Sequence, residues 1–398
     1  MGFHIVKRDH CPLWKKCCFY LGAVAVALLL GAVVLMALGV DPVAYYSRMF
    51  TMGMIGNKIA YKTFENYLKV FVPLALTSVA LSLAFKMRFW NIGGEGQFIL
   101  GAIASAAVAF KAGPVLPQPV TLILMCLAGM LTAGLYGVFV AALKVRFGTN
   151  ETLMTLMLNY IALYVLIFIS EDKGEWNFFL DPESLRPVFA SFAKIVSFPS
   201  IPMGGKFSLN ICVILTFLIG ILVYLYLKYS KQGYEISVVG DSENTARYAG
   251  ISVKKVTIRT MAISGAICGL AGFIAVAGSS HTISTSTAGG RGFTAIMVSW
   301  LAKFDPAVMV LTSFLLIFLD QGAAQVAQDF NMSDAFPSII TGIILFFIIG
   351  CEFFINYKVV FRNSGSVKYP TIIKVFIIIG MIVGAPLVYP VILGAMTL

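Results

Sequence analysis

Residues 17–40 read CCFYLGAVAVALLLGAVVLMALGV, an apolar run without a charged side chain. A helix needs about 20 apolar residues to cross a bilayer core of about 30 Å, so this run is long enough to span a membrane. It is too long for the apolar part of an export signal, and it lacks a small-x-small cleavage site. We therefore predict a first span that is not cleaved.

Composition extends this interpretation to the whole chain. Of its 398 residues, 59% are hydrophobic and 12% are charged, and the mean hydropathy is +0.90. A soluble protein of this length needs more charged surface. The apolar blocks are continuous rather than alternating, which predicts an all-α, polytopic transmembrane helix bundle of about 10–11 spans. The predicted spans are 17–40, 68–87, 97–112, 118–143, 152–170, 208–228, 256–277, 287–302, 306–325, 337–357 and 372–393.

The net charge of +11 fits such a protein without any nucleic acid. Basic residues concentrate on the cytoplasmic loops of membrane proteins, and they do so here when the N-terminus is cytoplasmic. We expect a multi-pass protein of a bacterial cell (inner) membrane. The predicted regions are an N-terminal span with an external segment (1–64), a first half of the core (65–230) with an external loop (171–207), a cytoplasmic loop (231–255), a second half (256–360) and an extra C-terminal span (361–398).

Clusters typical of catalysis or metal binding are missing from the sequence. The seven cysteines form no paired CxxC motifs, so we interpret them as small apolar side chains. No His, Cys and carboxylate cluster has metal-ligand spacing, and no Ser/His/Asp arrangement suggests nucleophilic catalysis. We expect no enzyme activity, metal or cofactor in this chain.

Two glycine-rich breaks each precede an apolar helix. Residues 91–98 read NIGGEGQF and residues 288–293 read AGGRGF. With the orientation above, one break faces the cytoplasm and the other the outside, which is typical of two halves related by an inverted repeat. Helix N-termini at such breaks present free N–H groups to a polar solute. Alternatively, the glycines only permit tight turns and close packing, the role that we assign to Gly265 and Gly269.

The loop at 233–250 contains signals for a short helix. Asp241 or Ser242 is a candidate N-cap and Gly250 a candidate C-cap. A helix of about two turns is marginal by itself. We therefore predict that a partner protein holds it, with an ordinary solvated linker as the alternative.

The segment from Gly233 to Gly272 resembles the coupling loop and following helix of the permease family that serves ATP-binding-cassette (ABC) importers for ribose, nucleosides and branched-chain amino acids. Residues 91–97 and the stretch NETLMTLMLNY at 150–160 resemble its nucleoside (guanosine-type) branch most closely. The resemblance covers roughly 65–357. The chain departs from the family pattern at Gly94, where a larger residue is expected, and in its final span.

This resemblance implies a permease subunit that moves a small solute, with a nucleoside as first choice, into the cytoplasm. The chain lacks a GxxxxGK[ST] phosphate loop, so ATP and Mg are expected in a separate cytoplasmic ABC ATPase. The other expected partners are a second, shorter permease subunit, an extracytoplasmic solute-binding lipoprotein and membrane lipid. The residues expected to couple to the ATPase are Gly233, Tyr234, Glu235, Gly240, Asp241, Ala246, Arg247 and Gly250.

Polar residues inside predicted spans are costly and therefore candidate functional groups. The substrate-pathway candidates are Asn91, Gln97, Asn159, Tyr160, Ser299 and Trp300. For Asn159, a helix–helix hydrogen bond is an equal alternative. Structural or solvated roles are expected for Glu95 (an ion pair with Lys86 or Arg88), Glu352 (near Lys358), Asp320, His281 and Arg291.

Other functions remain open from the sequence. The solute is alternatively a simple sugar, riboflavin or a branched-chain amino acid. A secondary transporter driven by an ion gradient would need intramembrane acids, for which Asp320 and Glu352 are the candidates.

Overall fold

Helices make up most of the computed structural model, which describes residues 3–7, 12–51, 60–172, 174, 176–192, 196, 198–204, 207–330, 332–333 and 336–361. The helices are α1 (Leu13–Ala37), α2 (Pro42–Thr51), α3 (Ala60–Lys86), α4 (Gly94–Ala112), α5 (Gln118–Phe147), α6 (Glu151–Glu171), α7 (Ile211–Tyr229), α8 (Lys231–Asp241), α9 (Glu243–Tyr248), α10 (Val253–Ile274), α11 (Arg291–Leu301), α12 (Pro306–Asp329) and α13 (Phe336–Asn356). A π-helical segment, Ala275–Ser280, continues α10. The short strands are β1 (Phe3–Lys7), β2 (Ser200–Gly204), β3 (Phe207–Asn210) and β4 (Tyr357–Phe361).

Eight helices in the described part of the chain are long and apolar enough to cross a membrane. They are α1, α3, α5, α6, α7, α10 with its π-helical segment, α12 and α13. The prediction of an all-α, polytopic membrane protein is therefore confirmed. The predicted span 372–393 lies outside the described residues.

The predicted span at 287–302 is wrong. Gly289 and Gly290 have φ of +55° and +73°, so the helix does not begin before Arg291. The resulting α11 has 11 residues and is about 16 Å long, roughly half of a bilayer core.

Small residues bring α10 against α5 and α4. A Cβ atom added at Gly265 would lie 2.5 Å from the carbonyl oxygen of Ala133, and one at Gly269 would collide with the backbone of Gly129. Only glycine permits this approach, which is typical of close packing between membrane helices. The packing role predicted for Gly265 and Gly269 is confirmed.

Helix α3 runs between two structurally different ends of the bundle. Near its start, Glu65 accepts hydrogen bonds from Ser208 in β3. At its last residue, Lys86, the backbone packs against Gly240 in α8. These residues are separated by about 31 Å of helix, which matches the thickness of a bilayer core. We call the two regions the β2/β3 end and the α8/α9 end.

Contacts divide the chain into two units, residues 21–350 and residues 1–20 with 351–398. In the smaller unit, β1 pairs antiparallel with β4. The hydroxyl of Tyr20 donates a hydrogen bond to Glu352, which also accepts one from Asn356 at 3.2 Å. The side chain of Lys358, proposed above to lie near Glu352, is outside the described part of the structure. The larger unit contains every residue of the candidate site below.

Candidate functional site

The first glycine-rich break is held by its own polar side chains. Asn91 Oδ1 accepts the backbone N–H of Gly93 at 3.0 Å, and its Nδ2 donates to Gln97 Oε1 at 3.3 Å. Both side chains are buried. Asn91 and Gln97 therefore fix the turn that starts α4, rather than presenting their amides to a solute.

Helix α6 secures the same break from the side. Asn159 Oδ1 accepts the N–H of Gly96 at 2.8 Å, and its Nδ2 donates to the carbonyl of Ile92 at 2.8 Å. Thr155 Oγ1 accepts the N–H of Ile92 at 3.2 Å. Of the two roles considered for Asn159, hydrogen bonding between membrane segments is the one that its geometry supports.

The glycine at position 94, a departure from the family pattern, has a local explanation. A Cβ atom at Gly94 would lie 3.1 Å from a methyl carbon of Leu81. A larger side chain would force Leu81 to move, because this distance is shorter than ordinary carbon–carbon contact. The packing of α3 against the break thus favours glycine here.

The two breaks meet each other. Glu95 accepts the backbone N–H of Gly290 at 2.9 Å and that of Gly292 at 2.5 Å. The two breaks therefore lie at the same depth of the bundle, and their opening to opposite faces of the membrane, like the inverted repeat, stays a prediction. The ion pair expected between Glu95 and Lys86 or Arg88 is also replaced by this contact, because the start of α11 supplies aligned N–H groups and partial positive charge.

Two more charged groups surround this junction. The guanidinium of Arg291 interacts electrostatically with the carboxylates of Glu95 and Asp320. It also donates a hydrogen bond to the carbonyl of Thr287 at 2.8 Å. Arg291 is partly buried, so the solvated face expected for it is not what the structure places there. A charged residue inside an apolar segment, next to a glycine-rich break, was the sequence signal for this cluster.

The aromatic side chains of α11 lie near the α8/α9 end. Trp300 stacks on Trp90 with ring centroids 5.3 Å apart and 4° between the planes. Phe304 contacts Trp300 at 5.6 Å, and Phe85 contacts Trp90 at 5.8 Å. We call these four residues the aromatic cluster. Trp300 remains 51% exposed, so one of the predicted pathway residues presents an accessible ring.

The other two pathway candidates behave differently from each other. Ser299 is buried and donates to the carbonyl of Ala295 at 2.7 Å, which is an ordinary bond within a helix. Tyr160 is 50% exposed on α6, and its neighbour Tyr164 is exposed on the same helix. Neither tyrosine hydroxyl has a hydrogen-bond partner among the described residues.

Backbone strain marks both turns that build the aromatic cluster. Arg88 has φ of 58°, and Lys303 and Phe304 have φ of 52° and 63°. A left-handed conformation is an outlier for a bulky residue such as Phe304, and it costs about 1–3 kcal/mol. Such strain persists only where surrounding contacts impose it, and here both turns flank stacked aromatic rings.

The short helix predicted in the loop is present as α9, and its capping is confirmed. Ser242 Oγ accepts the N–H of Thr245 at 3.3 Å, and Gly250 has the positive φ of +75°. Helix α8 was missed, because 231–255 was assigned to a loop with one short helix. Gly233 and Gly240 are instead needed for packing, since Cβ atoms there would collide with backbone carbonyls of α7 and of Lys86.

Ala246, one of the residues expected to couple to the ATPase, lies on the buried side of α9. It is 0% exposed and packs beside Ile236 and Val256, so it attaches α9 to the rest of the chain. Glu235 forms a salt bridge of 2.9 Å with Arg259 and fixes α8 to α10 in the same way.

Exposed residues remain on α8, on α9 and directly after α9. Tyr248 is 93% exposed, and Tyr234 is exposed as well. Asp241, Arg247 and Gly250 are also exposed. We call these five residues the loop surface. Tyr248 is the residue that the sequence interpretation missed; its signal was a large aromatic side chain in a polar loop.

Metal-binding groups of three or more His, Cys, Asp or Glu are absent from the described residues. Cys18, Cys126, Cys212, Cys268 and Cys351 are free thiols. Within this part of the chain, Cys212, Cys268 and Cys351 are buried like apolar side chains, whereas Cys18 is exposed. Cys11 and the side chain of Cys17 lie outside it.

Comparisons with known proteins agree with this architecture. Residues 63–349 match the protein family described as branched-chain amino acid transport system / permease component. The chain is 30% identical to a glucose ABC transporter permease protein of Haloferax volcanii, covering 88% of this chain and 92% of that protein. It is 27% identical to a nucleoside ABC transporter permease protein of Lactococcus lactis (82% and 88%) and 28% identical to a guanosine ABC transporter permease protein of Bacillus subtilis (82% and 91%).

Proposed function

The chain belongs to the family of branched-chain amino acid transport system permease components, and from this premise we propose that it is the membrane-spanning subunit of an ABC importer that moves a nucleoside into the cytoplasm. The protein is a transporter component and not itself catalytic. ATP hydrolysis with Mg takes place in a cytoplasmic ABC ATPase that docks on the loop surface.

The observation that carries this proposal is the construction of the loop surface. Buried Ala246 and the 2.9 Å salt bridge between Glu235 and Arg259 hold α8 and α9 firmly on the bundle. Tyr234 and Tyr248 nevertheless stay exposed. Two large aromatic side chains on a rigid, otherwise polar surface are typical of the anchors of a protein interface.

A physical route leads from the loop surface to the breaks. Gly240 packs directly on the backbone of Lys86 and Met87, so displacement of α8 pushes the strained turn at 86–89. Trp90 follows that turn and stacks on Trp300 of α11, whose first residues hold Glu95. Movement of α8 driven by the ATPase thereby shifts α11 relative to α4. This discrete change of packing opens the solute path to one face of the membrane.

The exposed tyrosines of α6 support a second permease subunit. Tyr160 and Tyr164 lie in the middle of a membrane span, and their hydroxyls have no partner among the described residues. Burying such a hydroxyl in lipid without a hydrogen bond costs about 2–7 kcal/mol. A water-filled path shared with a second subunit removes this cost. We propose a different, shorter chain for that subunit, and a solute-binding lipoprotein at the β2/β3 end.

A nucleoside is the preferred solute because two relatives are named for nucleoside or guanosine transport. The accessible Trp300 ring also suits a nucleobase, which stacks on aromatic side chains. A simple sugar is the alternative, favoured by the relative named for glucose. Riboflavin and branched-chain amino acids follow from the family resemblance.

Because the ATPase docks at the α8/α9 end, this end lies in the cytoplasm in our proposal. The N-terminus is cytoplasmic as well, and the chain lies in a bacterial inner membrane. A secondary transporter is less well supported, because Asp320 interacts with Arg291 and Glu352 accepts hydrogen bonds from Tyr20 and Asn356. Neither acid is therefore left unengaged for ion coupling.

Uptake by cells that contain the complete importer tests the proposal. Tyr248→Ala removes an exposed anchor without disturbing the core, and we expect it to lower both uptake of labelled guanosine and co-purification of the ATPase at least tenfold, since such anchors contribute about 2 kcal/mol. Asn244→Ala, which changes an exposed residue of the same helix, is the control. Uptake that survives ATP depletion but stops when the proton gradient is abolished would instead identify a secondary transporter.

A further inference from the structure

A cavity of about 240 Å³ lies at the β2/β3 end, between α3, the hairpin of β2 and β3, and the end of α10. Its lining includes Glu65, Lys69, Phe198, Ser200, Asn210 and His281. A bound water needs about 10–15 Å³ of cavity, so this space is large enough for a small organic molecule. We call it the hairpin cavity. None of the predicted pathway residues lines it.

Two nitrogen atoms that face the hairpin cavity, Lys69 Nζ and His281 Nδ1, have no protein partner among the described residues. Lys69 is partly buried and has no hydrogen bond or ion pair in the described part of the chain, whereas Lys144 pairs with Glu151 at 2.7 Å. His281 Nδ1 is buried and has no partner. Burial and the nearby charge of Lys69 lower the pKa of His281. An unpaired buried polar atom such as His281 Nδ1 is costly, which indicates that something polar completes this site.

The remaining lining defines the chemistry of that ligand. Glu65 Oε1 accepts the N–H and the hydroxyl of Ser208 at 2.7 and 3.0 Å. Its charge balances that of Lys69, so the cavity favours a neutral ligand over an anion. Asn210 accepts the N–H of Cys212 and donates to the carbonyl of Gly278, so it supports the wall of the cavity. Phe198 adds an aromatic ring on one side.

We propose that the hairpin cavity is an entry site that binds one neutral ring solute bearing hydroxyl groups, of the nucleoside class, before it enters the path. This inference rests on the proposed function, because it assigns the same solute a first position in the permease. Lys69 donates a hydrogen bond to an oxygen or ring-nitrogen acceptor of the solute, and the unpaired Nδ1 of His281 accepts one from a hydroxyl or amino group. Glu65 Oε2 accepts from its hydroxyls, and Phe198 contacts the ring.

Protection of an introduced thiol tests occupancy directly. Ser200→Cys places a thiol at the exposed rim of the cavity. In intact cells with the complete importer, a charged, membrane-impermeant thiol reagent should label it, and millimolar guanosine should slow the labelling several-fold. Leu185→Cys, at a residue that is 100% exposed, should be labelled at the same rate with and without guanosine. The unsubstituted chain gives the background from its own cysteines.

Substitution of Lys69 tests the recognition chemistry. Lys69→Met keeps the length of the side chain and removes its charge, and we expect the KM for guanosine uptake to rise about tenfold, as for loss of a hydrogen bond to a charged group. The control is Lys62→Met, since Lys62 is exposed on the same helix. Both variants should keep the wild-type maximal rate and the wild-type thermal stability of the purified chain.

The outcomes separate this inference from the proposed function. If cells take up guanosine with ATP, but guanosine leaves S200C labelling unchanged and K69M leaves KM unchanged, the entry site is wrong and the importer stands. If the cells take up none of guanosine, glucose and riboflavin, the proposed function is wrong. Protection of S200C by glucose alone would also overturn the assignment to the nucleoside class.

Discussion

The carboxylate of Glu95 accepts the backbone N–H of Gly290 at 2.9 Å, across 195 positions of sequence. This one bond, with its neighbour to Gly292, joins the start of α4 to the start of α11. Each helix begins at a glycine-rich break, so a single side chain holds together the two places where the bundle is interrupted.

Replacing Glu95 tests this junction. Glu95→Gln keeps the shape but places an NH₂ group where one oxygen accepted an N–H, so one buried donor loses its partner. We expect the free energy of unfolding to fall by about 2 kcal/mol. The measurement is the thermal midpoint of the purified chain, followed with a thiol-reactive dye that reports exposure of buried Cys212 and Cys268. Glu183→Gln, at an exposed position, should leave the midpoint unchanged, and equal midpoints for both variants would contradict the role of the junction.

Packing between α10 and α5 depends on the absence of a side chain at Gly269. A methyl group there would collide with the backbone of Gly129, which cannot rotate away as a side chain would. Gly269→Ala should therefore destabilise the chain by about 1–3 kcal/mol, the usual cost of overpacking. The matched control is Gly22→Ala, because an added Cβ meets no atom within 4 Å at that position. The same dye assay compares them, and similar midpoints would show that α10 can move away from α5.

Substitutions at Ala246 and Ala249 test whether the buried side of α9 attaches this helix to the bundle. Ala246 is buried, whereas Ala249 is exposed. Ala246→Trp cannot fit beneath α9 and should release the helix, while Ala249→Trp should not. Trypsin cleavage after Arg247 measures the release, since proteolysis requires local opening. We expect rapid cleavage of A246W and slow cleavage of wild type and A249W; equal rates would mean that α9 is not held by this residue.

Trp300 offers a ring to the solute in the proposed path. Trp300→Ala should raise the KM for guanosine uptake about tenfold, because stacking of a base on an aromatic side chain contributes about 1–3 kcal/mol. Trp300→Phe retains a ring and serves as the control, with a smaller increase. A purely structural role in the stack with Trp90 predicts instead that the thermal midpoint falls while KM stays constant. Measuring both quantities for each variant separates the two roles.

Most helices follow from the sequence because the apolar period and length of a segment are local properties. The predicted spans 118–143 and 152–170 correspond to Gln118–Phe147 and Glu151–Glu171. The capping of α9 by Ser242 was readable for the same reason, since a cap bonds to the N–H of a residue three positions away. Two elements differ: α8 lies where a loop was predicted, and the positive φ of Gly290 shortens α11, an apolar stretch that hydropathy alone interprets as a full span.

The candidate site was predicted less completely, because the same residue type serves a site or a scaffold according to what surrounds it. Asn159 and Ser299 were pathway candidates by polarity, yet backbone groups satisfy both, from a neighbouring segment for Asn159 and from its own helix for Ser299. The sequence did not single out Lys69, because a lysine near the start of a membrane span is common. Only the structure shows that it has no partner among the described residues.

The sequence by itself determined that this chain is a bundle of membrane helices with a capped cytoplasmic-type loop, because apolar length, glycine breaks and cap residues act over a few neighbouring positions. Only the tertiary structure decided that Glu95 binds the start of α11, that Ala246 is buried and that Lys69 lines a cavity. Those facts depend on which distant segments approach one another, and the free energy of a polar group is set by its partners rather than by its position in the chain.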